Sequence, residues 1–191
     1  MSNLQSVDWS AIPAPEDDGA TAHLAGMTLP SVPLMATSGE AVDLSTLSGL
    51  TVVYAYPRTG EPGQSVPAGW DAVPGARGCT PQSCAFRDHH AELQALGVDH
   101  LFGLSTQDTA YQQAAVERLH LPFALLSDEA LVLSTALRLP TFSHEINGTV
   151  QTLIKRLSLI IRDGRIEQCL YPVFPPDRNA EAVIELLKPG S

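Results

Sequence analysis

A chain of 191 residues, 44% of them apolar and 17% charged, can bury one core without disulfide or metal staples and is too apolar to be intrinsically disordered. Its 21 acidic and 11 basic residues give a net charge of −10, which excludes the basic stripe that nucleic acid or an anionic membrane surface requires. No apolar run approaches the roughly 18 residues of a membrane span. The first twenty residues lack both the positive and the apolar region of a signal peptide, so the expected location is cytoplasmic.

Residues 1–22 mix Asp, Glu, Pro, Ser and Ala without period, and predict an N-terminal extension packed loosely or not at all. The domain proper is expected over 23–191. Residues 29–47 read as a hairpin around Ser38-Gly39, followed by a turn over 45–49. TVVYAYP (51–57) has no polar alternation and predicts a central strand buried on both faces. The Gly/Pro-rich stretch 58–78 then predicts a long loop inserted after that strand, with Trp70 either a plug that packs it down or a surface contact.

TPQSCAFRDHHAELQAL (80–96) predicts a helix with Thr80 as N-cap, Pro81 in the first helical position and Gly97 as terminator. A strand over 101–105, a helix from Ser105 and Asp108 to Leu119, a strand over 122–127 and a helix from 127 to 139 follow. Asn147-Gly148 marks a small hairpin within 141–152, and Asp163-Gly164 joins strands 153–162 and 165–174. A helix over 178–188 closes the chain. Alternating β and α elements followed by an antiparallel pair predict an α/β fold, a mixed sheet with helices on both faces.

The chemistry concentrates at two of the three cysteines, Cys79 and Cys84. A cysteine at a helix N-terminus meets free backbone N–H groups and about half a positive charge from the helix dipole. Such surroundings bring a thiol from about 8.5 into the range of roughly 3.5–7.5, and the thiolate is the nucleophile. Residues five apart on a wound helix have Cα atoms about 8.7 Å apart, whereas a disulfide needs roughly 7 Å or less. Cys79 and Cys84 therefore bridge only if the first turns of their helix unwind, which suits a working redox pair and not a structural staple. Zinc held by Cys79, Cys84, His89 and His90 is disfavoured by spacing, and no metal or cofactor is expected. Cys169, in a predicted strand, reads as a packed core thiol.

GCTPQSCAFRD (78–88), placed after a buried strand that ends in Tyr56-Pro57, resembles the active-site segment of the bacterioferritin-comigratory-protein/PrxQ peroxiredoxins. FALLSDEALVLSTAL (123–137) and KRLSLIIRDGRI (155–166) match that family in the same order, and the resemblance extends over about 27–188. It implies a thioredoxin-like fold and thiol-dependent reduction of hydrogen peroxide and organic hydroperoxides. It also implies that Cys79 is peroxidatic and Cys84 resolving, and that Arg156, on the strand after the third helix, stabilises the thiolate and polarises the peroxide. A thioredoxin-type donor would reduce the disulfide, and a monomer or weak dimer would be the working unit.

One departure stands out. The family carries a threonine three residues before the first cysteine, and this chain has Ala76 there. The simplest repair splits the motif around the inserted loop, so that Pro57 and Thr59 supply the usual groups from its far side. The missing threonine also keeps a non-enzymatic redox-sensing module in view. A thioredoxin-like disulfide oxidoreductase fits less well, because four residues separate the cysteines instead of two.

Overall fold

Strand β3 (Leu50–Ala55) is buried along its whole length, as an apolar run without alternation requires. It lies inside a seven-stranded sheet in the computed structural model, which describes residues 8–60 and 65–189. β3 pairs in parallel with β4 (Val98–Ser105), and β4 in parallel with β5 (Ala124–Ser127). β1 (Pro33–Ala36) runs antiparallel to β5 and to β2 (Ala41–Asp43), which forms one edge. On the other side β8 (Leu157–Arg162) runs antiparallel to β3, and β9 (Arg165–Leu170) completes the order β2-β1-β5-β4-β3-β8-β9.

The two faces of β3 feed two cores. Val53 and Ala55 join Leu104 and Leu159 beneath α4 (Val132–Leu137). Val52 and Tyr54 join Phe86 and Leu93, from α1 (Cys79–Asp88) and α2 (His90–Ala95), and Val183 and Ile184 from α5 (Asn179–Leu187). α3 (Thr109–Leu119) adds Ala115 and Leu119 to the same cluster. Helices thus cover both faces of a mixed sheet, in a thioredoxin-like arrangement. No helix among the described residues is long and apolar enough to cross a membrane.

α1 is fixed to the sheet by Phe86. Its fully buried ring stacks on Tyr54 with centroids 4.4 Å apart and planes 6° from parallel, while Tyr54 donates to Ser83 Oγ at 3.0 Å. Phe86→Ala is expected to cost about 3–5 kcal/mol, since the ring's packing is lost and a cavity remains. Calorimetry should show a Tm lower by roughly 10 °C; a shift under about 3 °C would mean that α1 is held by other contacts.

Several expected details change. The N-cap of α1 is Gly78, not Thr80: its φ of 112° and ψ of 18° lie in the left-handed region that glycine adopts without penalty, and its carbonyl accepts from Gln82 N–H at 3.0 Å. The single helix expected over 80–96 is α1 followed by α2, divided at His89 although its N–H still reaches the Ala85 carbonyl. Asp108 alone caps α3, accepting from Tyr111 N–H at 2.7 Å, while Ser105 accepts from the Gln112 side chain at 2.9 Å. α4 is shorter than expected, because Asp128 turns back to accept from the N–H groups of Leu133 and Ser134.

The Asn147-Gly148 excursion is a separate two-stranded sheet, β6 (Thr141–Ile146) with β7 (Thr149–Ile154), whose turn residues have φ of 53° and 82°. It gives the inserted loop something to pack on. Residues 61–64 of that loop lie outside the described residues, but its second half carries a short 3-10 turn, Trp70–Ala72. Trp70 is buried against Phe142 and His144, with centroids 6.0 and 5.3 Å away, and forms a small core with Ala76, Ile146 and Leu153. Trp70 is a plug. The extension, of which residues 1–7 lie outside the described residues, is not loose from residue 8 onward: Trp9 meets Phe174 edge-on at 5.9 Å and Tyr171 donates to Asp18 at 3.0 Å. Its aromatic and acidic side chains find partners on the 171–177 segment, which composition alone does not reveal.

Candidate active site

Cys79 is the first residue of α1 and is 4% exposed. Arg156, equally buried, places Nη2 3.3 Å from the Cys79 sulfur. Arg156 stands in the two-residue link between β7 and β8, not on the strand itself, since β7 ends at Ile154 and β8 begins at Leu157. The position lets the side chain reach across to the loop before α1. Nη2 faces the carbonyls of Gly75, Ala76 and Arg77 at 3.2, 3.1 and 3.3 Å, and Nη1 donates to Gln82 Oε1. The Nε–H of the same guanidinium is buried without a partner among the described residues, a donor still to be satisfied.

Behind the arginine lies a buried polar chain that the sequence did not single out. Gln82 Nε2 donates to Asn179 Oδ1 at 2.9 Å, and Ser158 Oγ donates to the same oxygen at 2.7 Å. Gln82 follows Cys79 by three positions and so shares its helix face, the one signal that could have placed it near the site. Asn179, 97 positions further on, had no local signal at all.

Thr59 does not join Cys79 by a hydrogen bond among the described residues. Its backbone N–H and its hydroxyl both donate to Gln107 Oε1, at 3.0 and 3.3 Å, and Gln107 Nε2 returns a bond to the Thr59 carbonyl at 3.1 Å. This reciprocal clamp satisfies the buried threonine, so the expected split motif is not assembled through its hydroxyl. The Ala76 carbonyl faces the sulfur instead, 3.8 Å from Sγ. Pro57 lies with Arg156, Pro74, Phe142 and Val173 in the lining of a cleft of about 510 Å³.

Cys84 is half-buried on α1, and both cysteines are free thiols on one continuous wound helix. Burial pushes the Cys84 thiol above its ordinary value; the neighbouring Arg87 pulls it back and Asp88 adds to the rise. Cys169, on β9, is pushed up to about 11, chiefly by burial. Among the described residues no three His, Cys, Asp or Glu side chains gather as a metal site would need.

A buried thiol at a helix start, touched by a guanidinium that backbone carbonyls hold in place, on a thioredoxin-like sheet, defines a thiol-based redox enzyme. The chain belongs to the Redoxin family, whose model matches residues 24–184. It is similar to peroxiredoxin Bcp of Escherichia coli, with 31% identity over 86% of this chain and 95% of that one. It is also similar to the chloroplastic peroxiredoxin Q of Populus jackii, 29% identical over 85% of this chain, and it spans about two thirds (67%) of that plant protein's length. Peroxidoxin BcpB of Mycobacterium tuberculosis shares the fold, with a TM-score of 0.66 and 22% identity over 86% of this chain and 97% of that one. Within the family the chain is a peroxiredoxin of the Q/Bcp group, a thiol-dependent peroxidase.

Proposed function

We propose that Cys79 is the peroxidatic cysteine, Cys84 the resolving one and Arg156 the group that stabilises charge on both reacting atoms. The observation that carries this is the 3.3 Å contact between Arg156 Nη2 and the Cys79 sulfur at the buried start of α1. The Cys79 thiolate attacks the terminal oxygen of a hydroperoxide, the O–O bond breaks, and the departing oxygen takes a proton to leave as water or an alcohol. Two electrons pass from sulfur, which becomes a sulfenic acid. Cys84 sulfur then attacks Cys79, water departs, and the disulfide forms. A thioredoxin-type dithiol returns the two electrons.

The resolving step is coupled to unwinding. While α1 is wound, burial favours the thiol form of Cys84, and the helix geometry holds it too far from Cys79 to bond. Opening the first turns shortens the distance and wets the thiol together, so the nucleophile appears when it is needed. Thr59 takes a positioning role here, holding the end of the segment that brings Pro57 into the cleft wall. Three free thiols suit a reducing, cytoplasmic setting, with a monomer or weak dimer as the working unit.

The test is NADPH consumption in the presence of thioredoxin and thioredoxin reductase, with and without hydrogen peroxide. Consumption that depends on peroxide is expected. Insulin reduction without peroxide would select a disulfide oxidoreductase instead, and neither activity would select a redox-sensing module. Cys84→Ser is expected to separate the two half-reactions: one equivalent of peroxide still oxidises Cys79, detected by mass spectrometry of a trapped sulfenic acid, while thioredoxin-linked cycling falls at least about tenfold. An unchanged cycling rate would remove Cys84 from the resolving role.

A further inference from the structure

The segment 8–18 precedes the part of the chain that matches the Redoxin family, yet it lies across the catalytic loop. At one end the Trp9 ring rests on Gly78, the residue before Cys79: a Cβ added there would come within 2.7 Å of Trp9 Cη2 and 2.6 Å of Pro176 Cγ. Trp9 is held in that seat by Phe174, edge-on at 5.9 Å, and by a bond from Nε1 to Asp177 at 3.4 Å. In the middle Pro15 covers Gly75, whose added Cβ would lie 3.0 Å from the proline ring, and Gly75 is one of the three carbonyls that hold Arg156. At the other end Asp18 accepts from Tyr171 at 3.0 Å and pairs with Lys155, the neighbour of Arg156, at 3.5 Å. Every anchor of the segment falls on 75–78, on 171–177 or beside Arg156.

We propose that this segment is a latch on the Cys79 loop: docked, it holds the wound, dithiol form of α1, and it is released when Cys79 and Cys84 join. The inference rests on the disulfide chemistry proposed above. That disulfide cannot form on a wound helix, because Cα atoms five residues apart lie beyond its reach. Unwinding from Cys79 displaces Gly78 and the carbonyls beside it, which are the seats of Trp9 and Pro15. A segment that binds only one of two forms shifts the equilibrium toward that form by its binding free energy. The latch therefore stabilises the dithiol against the disulfide, and Trp9 and Pro15 act as positioning residues through the glycines they cover, Gly78 and Gly75.

The sign follows. Without its anchor the dithiol loses stabilisation, so the disulfide forms in a more reducing buffer. In the full-length protein, Trp9→Ala is expected to raise the oxidation constant of the pair at least tenfold, which for a two-electron couple is about 30 mV toward negative potential. Asp18→Ala should shift it in the same direction, and Trp9→Phe, which keeps an aromatic seat, should restore most of the parent value. Intrinsic fluorescence should change more on oxidation in the parent than in Trp9→Phe, where only Trp70, packed on Ala76, remains. A Trp9→Ala potential within a twofold change in the constant, or a fluorescence change of the same size in the parent and in Trp9→Phe, overturns the latch, as does failure of the disulfide to form. Because the potential is read in a glutathione or dithiothreitol buffer without peroxide, absent peroxide turnover alongside the expected shift would remove the peroxidase chemistry and leave the latch standing.

Discussion

Cys79→Ser is expected to abolish hydroperoxide turnover, lowering kcat/KM at least about a hundredfold, while the fold is retained. Serine fits the same space and keeps a polar atom beside the Arg156 guanidinium and the Ala76 carbonyl, so Tm should stay within about 3 °C of the parent. The hydroxyl, however, is not a thiolate and does not attack an O–O bond at neutral pH. Neither remaining cysteine can replace it. Burial holds the Cys84 thiol above its ordinary value and pushes Cys169 to about 11, so both are protonated at pH 7 in the wound state, and Arg156 bonds neither. The measurement is thioredoxin-linked peroxide consumption. Activity above about 5% of the parent would place the peroxidatic thiol elsewhere.

Much of the fold was legible because its signals are local. Asp163-Gly164 and Asn147-Gly148 each take two consecutive positive φ values, the geometry that such pairs favour between right-twisted strands. The absence of polar alternation over 51–57 marked a strand covered on both faces, and Cys79 at a helix start followed from the Gly-Cys-Thr-Pro context. What failed was a matter of one or two positions or of distance in sequence. The N-cap expected at Thr80 fell at Gly78, whose φ of 112° suits glycine and where Trp9 and Pro176 leave no room for a Cβ. Arg156 was placed on the predicted strand 153–162 by the family resemblance, yet the change from one sheet to the other falls between Ile154 and Leu157.

The polar support of the site was the least legible part. Gln82, Asn179 and Ser158 are brought together by α1, α5 and β8, and nothing in any one of these segments announces the others. Thr59 shows the opposite failure: a family pattern suggested a partner, and the closure of the inserted loop gave its hydroxyl to Gln107, 48 positions away. The extension hid its docking because it has no hydrophobic period, only a tryptophan, prolines and a carboxylate whose partners lie at least 60 positions downstream.

Arg156→Met is expected to slow the first oxidation of Cys79 by about a hundredfold, the loss seen when a buried donor aimed at developing charge is removed. One guanidinium contacts the sulfur, three backbone carbonyls and Gln82 at once, so its position is over-determined and costs no reorganisation during the reaction. In the proposed step negative charge moves from sulfur to the departing oxygen as the O–O bond breaks, and the fixed cation beside the sulfur is expected to stabilise that change. Methionine keeps the apolar stem and removes the cation, leaving Gln82 Oε1 and the carbonyls of 75–77 without their donor; unfolding should be easier by about 1–3 kcal/mol. Arg156→Lys distinguishes charge from geometry. Lysine restores a cation but not the planar fork that spans Gln82 and Nη2's partners together, so a recovery of no more than about tenfold over methionine is expected. Stopped-flow oxidation in a Cys84→Ser background isolates this step from resolution. An Arg156→Met rate within threefold of its parent would show that the guanidinium holds the loop in place without taking part in the chemistry.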